Sequence, residues 1–164
     1  MITLDSQDIL GHCTFCDEIR TENTGKLILI GVYPGKMVIH GGTFPLFMPR
    51  LGVSIVYMQR PEAFIAPKFV IFLPGDDENK PSIEAELPPE VSEGSLENVK
   101  RLHAENVEPR NAFATVIANF NFGNLPIPKP GLLKVRVARG QELFRLGTIV
   151  IEAAPAPAAA QPAA

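Results

Sequence analysis

Two cysteines, Cys13 and Cys16, are all the chain has. That is too few for a fold built on disulfides. Charge of one sign is also scarce. The net charge is −3 at pH 7, so nothing in the total argues for nucleic acid or an anionic membrane as partner. No apolar run approaches the roughly 20 residues that a membrane-spanning helix needs. The first ten residues, MITLDSQDIL, carry Asp5 and Asp8 and have neither a basic n-region nor an apolar h-region, which argues against a signal peptide. G-x-S-x-G, P-loop, H-E-x-x-H and G-x-G-x-x-G patterns are absent. Together these absences predict a protein of a reducing cytoplasmic setting, with free thiols and no cofactor.

What the chain does have is apolar residues cut into short runs. Hydrophobic residues make up 46% and charged residues 20% of 164 positions, as in one ordinary globular domain able to bury roughly 70% of its unfolded surface. Sixteen Pro and 13 Gly punctuate runs rich in Val, Ile, Phe and Leu. Many short strands between turn signals predict an all-β fold, an antiparallel β-sandwich of about eight or nine strands. This domain is expected over residues 1–152. The Ala/Pro-rich stretch 153–164 has no face to bury and is expected to be a disordered tail.

The segment CTFCDEIRTENTGKLILIGVY (residues 13–33) poses the sharpest local question. Asn23-Thr24-Gly25-Lys26 supplies a turn, with Gly25 free to take positive φ. A first strand is predicted over 12–20, and a second, apolar at nearly every position and buried on both faces, over 26–33. Side chains three apart on a strand point to opposite faces. Cys13 and Cys16 therefore cannot easily meet or share a metal. A thioredoxin-like site needs its Cys-x-x-Cys at a helix start, and a zinc site needs a second ligand pair that the chain lacks. Packed strand cysteines are the favoured reading.

Further strands follow from alternation. Residues 51–58 read as a strand with an apolar second face, and 69–73 as a buried run. Ile83, Ala85 and Leu87 alternate with Glu84 and Glu86, and the loop PGDDENKP joins these last two runs into a hairpin. In 113–122, Val116, Ala118, Phe120 and Phe122 oppose Thr115, Asn119 and Asn121. Leu96, Val99 and Leu102 recur at helical spacing, with Ser95 as N-cap, predicting a short helix near 95–106.

The last hairpin can be registered from its own chemistry. A two-residue turn at Gly140-Gln141 pairs Arg139 with Glu142, Val137 with Phe144, Val135 with Leu146 and Leu133 with Thr148. It also sets Arg136 opposite Arg145, which costs cross-strand repulsion unless an anionic group lies between them.

Other candidates are weaker. His12, His40 and His103 are dispersed. Asp76-Asp77-Glu78 with Asn79 could hold a hard cation, but the EF-hand spacing and its Gly are missing and a solvated turn is favoured. Charge is segregated: residues 74–98 carry eight acidic side chains against one Lys, and 99–150 eight basic against three acidic. Two solvated faces account for this. So would a bipolar surface that docks a charged protein or self-associates through oppositely charged faces.

CDEIRTENTGKLILIGVYPG near the start and FNFGNLPIPKPGLLKVRV near the end, with a Pro-spaced apolar stretch between, resemble an uncharacterised family of small bacterial β-rich proteins, a domain of unknown function. The resemblance implies a bacterial single-domain β protein and transfers no functional residue. Two functions of different class stand. The favoured one is a non-catalytic sandwich that binds or scaffolds another protein, with Lys134, Arg136, Arg139 and Arg145 as contact residues and no catalytic or metal site. The alternative is an enzyme or metal-dependent site assembled from residues distant in sequence.

Overall fold

The two longest strands carry the molecule: β5 (Leu46–Gln59) and β8 (Ala114–Ile127) pair antiparallel along nearly their whole length. The computed structural model describes residues 9–61, 64–105 and 113–155. β1 (Ile9–Cys16) pairs with the second half of β5, from Cys16 opposite Gly52 to Ile9 opposite Gln59. These make a three-stranded sheet in the order β1-β5-β8. A second sheet of five strands runs β4 (Lys36–His40), β10 (Glu142–Ala154), β9 (Gly131–Arg139), β6 (Lys68–Phe72) and β7 (Ile83–Glu86). β4 joins β10 in parallel, and the other pairs are antiparallel.

The period-two pattern of each strand decides which face is buried. Leu51, Val53, Ile55 and Tyr57 of β5, with Val116 and Ala118 of β8, turn inward from the first sheet. Phe69, Ile71, Leu133, Val135, Val137, Ile149 and Ile151 turn inward from the second. Tyr57 meets Phe69 edge-on across this interface, ring centroids 6.2 Å apart. The fold is thus an all-β sandwich, with ten strands among the described residues and one helix.

Expectations for three parts of the chain change. The strand predicted over 12–20 breaks at Asp17 into β1 and β2 (Glu18–Thr21), and β2 forms a two-stranded ribbon with β3 (Leu27–Ile30). β3 is not buried on both faces, since Leu27, Ile28 and Ile30 are 39%, 41% and 38% exposed. Among the described residues its only strand neighbour is β2, so neither sheet covers it fully. Asn121 of β8 clamps the ribbon, accepting from the Ile19 N–H and donating to the Ile19 C=O, both at 3.0 Å.

The helix α1 (Pro89–Ala104) starts six residues before Ser95, which lies inside it. Pro89 sits in the first turn, where its missing N–H costs nothing and its fixed φ suits the helix. The Pro88-Pro89 pair is therefore a helix start and not only a break.

The third change is a β-bulge. The predicted register holds from Arg139–Glu142 to Arg136–Arg145, and then Leu146 is inserted. Val135 now faces Gly147, Lys134 faces Thr148 and Leu133 faces Ile149. Without the bulge Thr148 would point into the core. With it Ile149 and Ile151 are buried and Thr148 is exposed. Strand β10 also runs to Ala154, where the Gly41 N–H donates to the Ala154 carbonyl. The remainder of the expected tail, 156–164, lies outside the described residues.

Candidate functional site

β1 carries Cys13 and Cys16 on opposite faces, as its geometry requires, and both thiols are free. Cys13 faces the second sheet. A Cβ built on Gly147 would lie 2.3 Å from its Sγ, so only glycine fits beneath it. Cys16 is fully buried on the other side against Gly52 and Ile19. Burial pushes the Cys13 thiol up to about 12 and raises Cys16 as well. Raised thiols are poor nucleophiles, so the pair serves packing.

Three of the four basic residues predicted to form a contact surface come together. Lys134 and Arg136 of β9 and Arg145 and Thr148 of β10 line a hollow of about 210 Å³ on the outer face of the five-stranded sheet. The chain places one carboxylate, Glu78, in this hollow, against Lys134 and Arg136. Glu78 lies 3.5 Å from Lys134 Nζ and 3.9 Å from Arg136 Nη2. The Arg136 guanidinium is further placed by the Phe72 ring, 5.1 Å below it. Arg139 does not join them. It is on the alternate, inward face of β9, and its charge partly offsets the burial that raises the Tyr57 hydroxyl.

Glu78 belongs to the acidic loop between β6 and β7. Asp76 accepts from the Leu73 N–H, the Ser82 N–H and the Ser82 hydroxyl at 2.8–2.9 Å, and Asp77 accepts from the Asn79 N–H. These carboxylates cap their own loop. Among the described residues no three His, Cys, Asp or Glu side chains are grouped as a metal would need.

A second feature was not legible in the sequence. Between β4 and the first half of β5 lies an open cleft of about 470 Å³, with Met37, Val38 and Ile39 on one side and Phe47, Met48 and Arg50 on the other. β4 is the outermost strand of its sheet. Among the described residues β5 from 46 to 51 pairs with β8 alone, because the β1 pairing begins only at Gly52. The cleft is therefore flanked by two strand edges that have no strand partner among the described residues. Phe47 is 65% exposed and Val38 38%, an unusual state for a phenylalanine in a strand.

Polar groups close one end of this cleft. The Tyr33 hydroxyl donates to the Asp17 carboxylate, and burial, with help from Asp17, pushes Tyr33 up to about 12. Glu18 is gripped by Arg20 at 2.9 Å and Arg50 at 3.0 Å, and Arg20 foremost holds its carboxyl below the usual range. A larger hollow of about 540 Å³ beside α1 has Lys68 and Glu86 in its wall, 3.7 Å apart.

No helix among the described residues is long and apolar enough to cross a membrane. No curated protein and no solved structure matches the chain. Residues 12–151 match a family described as a family of unknown function (DUF6941), nearly the whole sandwich, and the chain belongs to that family.

Proposed function

We propose that the protein is a non-catalytic binding module that engages another protein by taking an extended segment of it into the cleft between β4 and β5. The carrying observation is the pair of strand edges, unpaired among the described residues, that flank an apolar opening. A strand added to an open edge gains main-chain hydrogen bonds for affinity, and pockets for alternate side chains give specificity. Here Phe47 and Val38 offer exposed apolar contact, and Arg50 and Asp17 mark one end of the opening.

The enzyme alternative draws no support from this cleft. A general acid or base works best near neutral pH, whereas Tyr33 in the cleft wall is pushed up to about 12. The resemblance favours a bacterial setting for the module, and the low cysteine count suits a cytoplasmic one.

The test replaces Phe47 by a photo-crosslinking phenylalanine analogue in the source cell, with and without Val38→Lys. A partner that crosslinks at Phe47 and is lost with Val38→Lys is the expected outcome. Absence of any crosslink at Phe47, or the same crosslinked partner in both backgrounds, would overturn the proposal.

A further inference from the structure

The hollow on the outer face of the five-stranded sheet is built around charge. Lys134 and Arg136 are neighbours on β9, and Thr148 and Arg145 stand directly opposite them on β10. This square exists because of the bulge at Leu146, since an unbroken ladder would have turned Thr148 inward. Bulges re-aim side chains in this way. Arg136 is held in place, its side chain only 14% exposed and its guanidinium stacked over Phe72. Lys134 is 27% exposed.

Against three cations and a hydroxyl the described residues supply one carboxylate, and supply it loosely. Glu78 is 73% exposed and approaches Lys134 at 3.5 Å and Arg136 at 3.9 Å. Charge-assisted hydrogen bonds close to about 2.7–2.9 Å, so neither contact is a full one. The loop that carries Glu78 is fixed by Asp76 and Asp77 through their own hydrogen bonds. The Glu78 side chain can thus leave the hollow without unmaking its loop.

We propose that this hollow is a binding site for a phosphoryl group, and that Glu78 occupies it as an internal competitor. A phosphoryl group brings a charge of about −1.5 to −2 and three acceptor oxygens. Those suit a set of Lys134, Arg136, Arg145 and Thr148 better than one distant carboxylate does. The site is independent of the cleft between β4 and β5.

The test is calorimetric titration of the full chain with inorganic phosphate, and separately with N-acetyl phosphoserine amide, at constant ionic strength. Glu78→Gln should tighten phosphate binding by roughly two- to fivefold, the range an exposed ion pair controls. Arg145→Gln should weaken it at least about fivefold, since its hydrogen bonds are charge-assisted. Lys100→Gln on α1, which removes the same charge outside the hollow, should leave it unchanged. Far-UV circular dichroism checks that each variant is folded, and should Arg145→Gln fail that check, Thr148→Val takes its place. Preference for phosphoserine over phosphate would identify a phosphorylated protein as the source, and the reverse would identify the free ion. Absence of binding by either probe to Glu78→Gln, or equal loss with Lys100→Gln, would overturn the proposal.

Discussion

Gly147 and Cys13 offer a sharp test of how the two sheets fit together. Adding a single methyl at 147 places Cβ 2.3 Å from Cys13 Sγ, well inside the separation at which real atoms touch, about 3.5–4.0 Å. One strand must move by more than about 1 Å, or Cys13 must leave its rotamer. Overpacking of that kind costs about 1–3 kcal/mol. The backbone at 147 is not left-handed, so the cost is steric and not conformational. Removing the sulfur removes the obstacle, because the next nearest atoms, the Cys13 carbonyl at 3.5 Å and Cβ at 3.7 Å, are ordinary contacts.

A double-mutant cycle reads this directly. Gly147→Ala should lose about 2 kcal/mol and Cys13→Ala about 1 kcal/mol for its vacated volume. The double variant should be no less stable than Cys13→Ala alone, giving a coupling of about 2 kcal/mol. Urea unfolding followed by far-UV circular dichroism gives the three values, and the Gly147→Ala melting point should fall by about 4–8 °C. Effects that add to within about 0.5 kcal/mol would refute the packing described here.

Three further outcomes follow from single residues. Asn121→Ala should free the Ile19 N–H and C=O that it clamps at 3.0 Å, at about 1–3 kcal/mol, and hydrogen exchange at Ile19 should accelerate while that at Val53 does not. The Tyr57 hydroxyl is buried with no hydrogen-bond partner among the described residues, so Tyr57→Phe should change unfolding free energy by less than about 0.5 kcal/mol or raise it. Cys13 should resist thiol reagents at pH 8 in the folded state. Its folded value of about 12 lies above the ordinary 9.0, so its stabilising contribution is complete below 9 and disappears as pH rises towards 12. Cys13→Ala should flatten the alkaline limb of the stability curve over that interval.

Where alternation was clean, the sequence was enough. Ile83 and Ala85 turn in and Glu84 and Glu86 out, and the inward set of β8 is the one its pattern names. The turn at Gly140-Gln141 was readable too, and with it the convergence of Lys134, Arg136 and Arg145. Their counter-ion was not, because Glu78 arrives from the loop after β6, beside β9 in space but far off in the chain. The bulge at Leu146 was hidden for a related reason. Gly147 has no side chain to betray its face, and what demands a glycine there is Cys13, far off in the chain. The stretch LILI of β3 is apolar on both faces, so its pattern cannot say which face lacks cover. β4 carries no local signal of its parallel pairing with β10, since parallel partners are joined by long connections.

The cleft was illegible for a different reason: it is made by where pairing stops. Nothing in Leu46-Phe47-Met48-Pro49-Arg50 announces that β1 will end at Cys16 and leave this half of β5 with one strand neighbour among the described residues. An open edge is a hazard, because any extended chain can pair with it. The edges here carry defences. Pro49 lines the opening and has no N–H to donate. Lys36 at one end of β4 is tied to Glu152, and Arg50 projects beside the cleft, paired with Glu18. Such charges and a proline deter indiscriminate strand addition, yet they leave Phe47 and Val38 exposed between them. A surface that only had to remain soluble would gain from polar residues at 38 and 47. In the proposed reading those two side chains stay apolar because a partner covers them, and the defences around them restrict which segment can.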